Sequence, residues 1–237
     1  MQKFQEKCNT IITDIDEGIM TNLALAAGIG LGNNSLGKDS TPINLAVTAP
    51  SIAQTSINNI VKVVNGNPEL KSVLDKAGGW KVVSPAVIVT LLCETGPECS
   101  SEERKHVWNI ILNRTHNKNA FPGITTTTQA VLQGIGNTKL AKAFSFWGDS
   151  KNSNFKRVND IKSLTLALSN STFKKALTEA IKLQADTTDH LKGALLYQTI
   201  SYHNKSPDRF SNKYWKANET SRDDSHVFYN MLPKQKK

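Results

Sequence analysis

VIVTLLCETGPECSSEERKHVWNIILNR, running from Val87 to Arg114, is the stretch that decides how the rest of the chain is read. Ser84-Pro85 opens a helix just before it, with Ser as N-cap and Pro in the first turn. The run Ala86 to Cys93 is apolar on every side, so this helix belongs inside a core rather than on its surface. It delivers Glu94 at its end, and Gly96-Pro97 stops it. A second helix starts at Ser100, whose partner Glu103 three residues on makes a capping box. Val107, Ile110, Ile111 and Arg114 form its inner face, and Asn113-Arg114 closes it.

Downstream, Phe121-Pro122-Gly123 is a turn, and Thr127 or Thr128 caps a short helix that runs through Leu132 and stops at Gly134. Residues 148–160 read as a loop. Thr172 to Ala185 carries Phe173, Ala176, Leu177, Ala180 and Ile181 at helical spacing. Gly193 to Tyr197 and His226 to Tyr229 then read as short strands, separated by a polar loop that holds Tyr214 and Trp215. Helices followed by a small sheet predict an α+β fold, mainly helical. Upstream, residues 57–77 predict two short helices broken at Asn65-Gly66-Asn67-Pro68. Residues 28–57 have the Gly, Asn, Ser, Thr and Pro content of a linker, and residues 1–22 space their isoleucines as an amphipathic helix does. The expected division is a partly disordered N-terminal extension, 1–78, and a compact domain, 79–237.

Bulk properties narrow the partners. The chain has 237 residues and a net charge of +9. Residues 151–237 hold sixteen of its basic residues and eight of its acidic ones, which is nearly all of the excess. Such a surface attracts polyanions, the anionic bacterial wall and nucleic acid among them. The basic residues are scattered among acids and form no reading helix, so no specific nucleic acid is expected. Three cysteines, Cys8, Cys93 and Cys99, are too few for a disulfide framework, although Cys93 and Cys99 can pair in an oxidising compartment; two ordinary buried thiols is the preferred reading. With only His106 near them, no metal site is expected. Leu23 to Leu31 is too short to span a bilayer, and the acids before it do not suit a signal peptide.

Glu94 is the residue that the chemistry singles out. A carboxyl at the end of an apolar helix loses water, which favours its protonated form and equips it as a general acid. Glycosidic bonds need such a proton on the leaving oxygen. A solvated helix-end glutamate is the plain alternative on residues alone.

The segment also resembles the signature of the SleB/CwlJ-type cell-wall hydrolases. In that family an apolar helix ends in E-A-R-G-E, and a second apolar helix ends in V-I-L-N-R. Here Glu94 and Glu98 occupy the two acidic positions, and Ile111-Leu112-Asn113-Arg114 matches the second helix end. Phe121-Pro122, Gln129 to Gln133, Phe144-Ser145, Gly193 to Tyr197 and His226 to Tyr229 are similar to further family segments in the same order. The resemblance covers about residues 83–231. It implies a lysozyme-like catalytic domain that cleaves peptidoglycan glycan strands between N-acetylmuramic acid and N-acetylglucosamine. Glu94 would be the acid of a lytic transglycosylase, with a 1,6-anhydro product and no cofactor. Thr95-Gly96-Pro97 replaces the family's Ala-Arg-Gly, so the arginine between the two glutamates is missing.

Other residues have lesser expected roles. Glu98 orients Glu94 or bonds sugar, or else is an exposed loop acid. Asn113 and Arg114 hold the motif loop by hydrogen bonds. One or two of Tyr197, Tyr202, Trp215 and Tyr229 line a cleft, aromatic faces being suited to sugar rings. His226 is a structural hydrogen-bonder, while His116 and His203 suggest nothing. A hydrolytic muramidase would need a second carboxylate, for which Glu98 and Glu103 are nearest in sequence. A non-catalytic wall-binding or virion structural protein is the reading outside enzymes. Action on the bacterial wall without a standard signal peptide points to a phage lysin, virion-associated or released through another protein's membrane lesion, with the N-terminal extension docking a virion or lysis partner.

Overall fold

A computed structural model of the chain describes residues 51–121, 123–135, 142–206, 211, 215–222 and 226–233. The helix expected over 1–22, most of the linker expected over 28–57, and Cys8 lie outside them.

The segment that opens the reading forms two helices. Helix α3 (Pro85–Thr95) is buried at all eleven positions. Its surroundings explain this, since α1 (Ser51–Gly66), α4 (Ser101–His116), α5 (Thr127–Leu132), α6 (Ser153–Asn159) and α8 (Ser171–Lys182) all pack against it. Each buried Val, Ile or Leu of this central helix contributes on the order of 2 kcal/mol of apolar transfer. Helix α4 begins with the expected capping box. The Glu103 amide donates to Ser100 Oγ at 3.1 Å, and the Ser100 amide donates to Glu103 Oε2 at 2.9 Å. Ser84 occupies the N-cap of α3 but makes no side-chain cap bond. Its hydroxyl instead accepts from Thr128 Oγ1 at 2.7 Å, and its amide donates to Gln184 Oε1 at 2.7 Å, tying the helix start to two neighbouring segments.

The packed body includes helices that precede Gly79. Ala53, Ile57, Ile60 and Val64 of α1 are buried, and Leu70 and Leu74 of α2 (Pro68–Lys76) join the same core. A helix that is apolar all round needs a partner on every side, and α1 supplies one of them. The break between α1 and α2 falls where expected: Asn67 caps α2 by accepting from the Glu69 and Leu70 amides, with Pro68 at the first helical position. Gly148 marks how close α1 lies to the rest. It has φ +79°, and a Cβ there would fall 2.2 Å from Ile52 Cδ1.

Three further segments depart from expectation. Thr126, rather than Thr127 or Thr128, caps α5 and makes a capping box with Gln129. The presumed loop 148–160 contains α6, capped by Asn152 and held by buried Phe155 and Val158; α7 (Ile161–Ala167) follows directly from the Asp160 cap. The polar stretch that holds Trp215 is a strand, β2 (Trp215–Arg222).

The sheet has the order β1-β3-β2 and is antiparallel throughout, with β1 at Leu196–Thr199 and β3 at His226–Pro233. Tyr197 pairs with Phe228 across β1 and β3, and a bulge interrupts β2 between Glu219 and Ser221. A short helix, α9 (Ile200–Lys205), follows β1. The Phe228 ring meets His106 of α4 edge-on at 4.8 Å between centroids, which seats the sheet against the first half of α4. The result is an α+β fold, mainly helical, with one small sheet. Among the described residues no helix is long and apolar enough to cross a membrane.

Candidate active site

Helix α3 places Glu94 one residue before its end, and the side chain is 2% exposed. The helix stops there because Gly96 takes φ +69° and ψ 163°, a region essentially reserved for glycine. Its amide still donates to Leu92 O at 3.1 Å, so the turn is hydrogen-bonded as it leaves the helix. A Cβ at Gly96 would sit 3.3 Å from Asn154 Nδ2 of α6, so the neighbouring helix presses on the same turn.

The electrostatics next to Glu94 are those of a dry site. Burial pushes the Cys93 thiol well above its ordinary pKa; the charge of Glu94 adds to the rise, and Arg157 of α6 opposes it. Cys93 and Cys99 are both buried and are not bonded to each other.

Arg104, which is not among the residues expected at the site, organises the turn after Glu94. This arginine is 2% exposed. Its Nη1 donates to Thr95 Oγ1 at 2.8 Å and to Gly96 O at 2.9 Å, and its Nη2 donates to Cys99 O at 3.1 Å. Nε pairs with Glu179 Oε2 of α8 at 3.2 Å. Thr95 Oγ1 in turn donates to Leu91 O at 2.8 Å. The signal was present in the sequence: Arg104 lies three and four residues before Val107 and Trp108, on the inward face of α4, where a charge must find partners.

Residues far apart in sequence meet beside this turn. Thr95, Cys99, Glu103, His106, Val107, Tyr197, His226 and Phe228 enclose a water-sized cavity of about 10 Å³. Tyr197 and His226 are 4% and 2% exposed, with ring centroids 5.7 Å apart and nearly perpendicular. Both line this cavity together with Thr95 and Cys99 of the turn that follows Glu94.

The remaining candidates divide. Glu98 is exposed, and Glu103 is engaged by Ser100. Asn113 and Arg114 are buried and anchor the segment that leads into β1. Asn113 Nδ2 donates to Asp189 Oδ1 at 3.1 Å and to Ala194 O at 3.0 Å. Arg114 donates to Leu195 O, with its guanidinium 5.5 Å from the Phe121 ring centroid and 5.0 Å from that of Phe144. They secure the approach to β1. Tyr229 is buried; its hydroxyl accepts from Gln198 Nε2 at 2.7 Å and meets His203 Nδ1, so His203 has a structural partner that its sequence context did not suggest. Tyr202 is 40% exposed on α9, and His116 is exposed at the end of α4. Among the described residues, His, Cys, Asp and Glu do not gather in threes that could hold a metal ion.

No protein-family profile, curated protein or solved structure matches the chain.

Proposed function

We propose that the chain cleaves peptidoglycan glycan strands between N-acetylmuramic acid and N-acetylglucosamine, as a lytic transglycosylase with a lysozyme-like cleft and Glu94 as its acid. The observation that carries this reading is the placement of Glu94. A carboxyl that is 2% exposed closes a fully buried helix, and its turn meets Tyr197 and His226, brought from more than a hundred residues away. A dry carboxyl is suited to hold a proton and to give it to a poor leaving group.

In the reaction, Glu94 donates its proton to the bridging oxygen as the bond to the muramic acid C1 breaks. The C6 hydroxyl of the same sugar attacks C1, and its proton passes to the Glu94 carboxylate. The product is a 1,6-anhydro ring, the acid is restored, and no water is consumed. One carboxyl that changes role suffices. Exposed Glu98 and the capping acid Glu103 favour this route over hydrolysis, which asks for a second carboxylate held across the bond.

Digestion of purified peptidoglycan by wild type and Glu94→Gln, with mass spectrometry of the soluble products, tests the reading. We expect anhydromuropeptides from wild type and a loss of at least ~10³-fold in Glu94→Gln. Reducing-end muropeptides, heavier by one water, would move the assignment to a muramidase. Release of nothing by wild type, or equal release by the variant, would leave a non-catalytic wall-binding or virion protein.

A further inference from the structure

We infer that Arg104 is the positioning residue of Glu94, an inference that rests on the reading above. The carboxyl of Glu94 stands at the end of α3, so its aim depends in part on how firmly that end is held. Two atoms that follow it immediately, Thr95 Oγ1 and Gly96 O, both accept from Arg104 Nη1. The far side of the same turn, Cys99 O, accepts from Nη2. One planar group thus spans the turn from its first residue to its last. The opposite edge of that group is fixed by Glu179, which lies on another helix and also accepts from Ser101 Oγ at 2.6 Å.

The choice of arginine follows from geometry. A guanidinium presents donors in a rigid fork, whereas a lysine ammonium at this place is a single point that cannot reach Thr95, Gly96 and Cys99 together while also meeting Glu179. The hydroxyl of Thr95 completes the lock. It donates back to Leu91 O and accepts from Arg104, so the last turn of α3 cannot rotate without breaking one of the two bonds. Arg104 also brings a fixed positive charge to a helix end at which the backbone carbonyls and Glu94 both concentrate negative charge. The turn contains no arginine of its own between Glu94 and Glu98; the guanidinium reaches it from α4.

The test compares wild type, Arg104→Lys and Glu94→Gln, each checked for folding by circular dichroism and thermal melting. For Arg104→Lys we expect kcat to fall ~10- to 100-fold with KM little changed, as for a displaced reacting group. We also expect the alkaline limb of its pH–activity profile, where the acid loses its proton, to move. Titration of the Glu94 carboxyl by 13C NMR reads the same effect without turnover, and its midpoint should move in Arg104→Lys. Alkylation of Cys99, mapped by peptide mass, should quicken as its turn loosens. Unchanged kcat and an unmoved Glu94 midpoint in a folded Arg104→Lys protein would overturn the inference, even if Cys99 became reactive, because the clamp would then serve structure alone. If wild type proves inactive, the functional reading falls by itself, and the Glu94 titration still decides whether Arg104 governs that carboxyl.

Discussion

Helix α4 carries two fully buried arginines, and the two do opposite kinds of work. Arg104, in the second turn, is satisfied by a carboxylate, a hydroxyl and two carbonyls, all of them short polar contacts around the Glu94 turn. Arg114, in the last turn, lies against the Phe121 and Phe144 rings and bonds Leu195 O at 3.4 Å. One end of the helix is therefore built to hold a charged, strained turn in place. The other end is built to hold the sheet. Burying a cation on aromatic faces secures packing, whereas burying it among oxygens fixes direction. The proposed site is at the first end, and the anchor of the sheet is at the second.

The largest effect that separates the two ends is on stability. Arg114→Leu removes the donors to Leu195 O and the contacts with both rings, and it should cost ~3 kcal/mol in urea unfolding. Because the approach to β1 is pinned there, the folded fraction should keep its specific activity. If Arg114→Leu lowered turnover of the folded protein as Arg104→Lys is expected to, the division between site and scaffold would fail.

The two ends also differed in how plainly the sequence announced them. Asn113-Arg114 closes an obvious helix, and the capping box of Ser100 with Glu103 marks where that helix begins, because both rest on spacing within a few residues. The buried character of α3 was equally open, since Ala86 to Cys93 offers no polar face. What local spacing does not reveal depends on partners far along the chain. Arg104 is tied to Glu179, seventy-five positions away, and Asn113 to Ala194, eighty-one away. Strand β2 carries Lys216, Asn218, Glu219 and Ser221 and owes its form to pairing with β3 rather than to its own composition. Helix α6 has seven residues, of which Phe155 and Val158 are the apolar ones in the core, too few to show a period. Helix α1 was half hidden in a segment of linker composition, although Ala53, Ile57, Ile60 and Val64 keep helical spacing within it.

A smaller effect sharpens the comparison at the site end. Gly96→Ala forces a side chain into a backbone region that only glycine enters readily, and its Cβ would crowd Asn154 Nδ2. The expected cost is ~1–3 kcal/mol by chemical denaturation. Unlike Arg114→Leu, it should reduce glycan cleavage by the protein that remains folded, because relief of the strain must move the turn that Arg104 clamps. A variant with full turnover and lowered stability would mean that the turn can shift without disturbing Glu94.

The smallest effect uses Cys93 as a reporter of its neighbour. Its thiol is held protonated above the usual range, first by burial and then by the Glu94 charge. The folded chain therefore keeps a proton that the unfolded chain releases. Stability from this group is complete below the ordinary thiol pKa and declines as pH rises beyond it, by up to ~1.4 kcal/mol per pH unit. Cys93→Ala should flatten that decline in a plot of unfolding free energy against pH. Glu94→Gln removes one of the two causes and leaves burial in place, so the decline should persist but end at a lower pH than in wild type. Curves for wild type and Glu94→Gln that superimpose would show that no Glu94 charge reaches Cys93, and the close electrostatic coupling at this end of the molecule would be lost from the account. Arg114→Leu, acting at the other end of α4, should lower the whole curve without altering where its decline begins or ends.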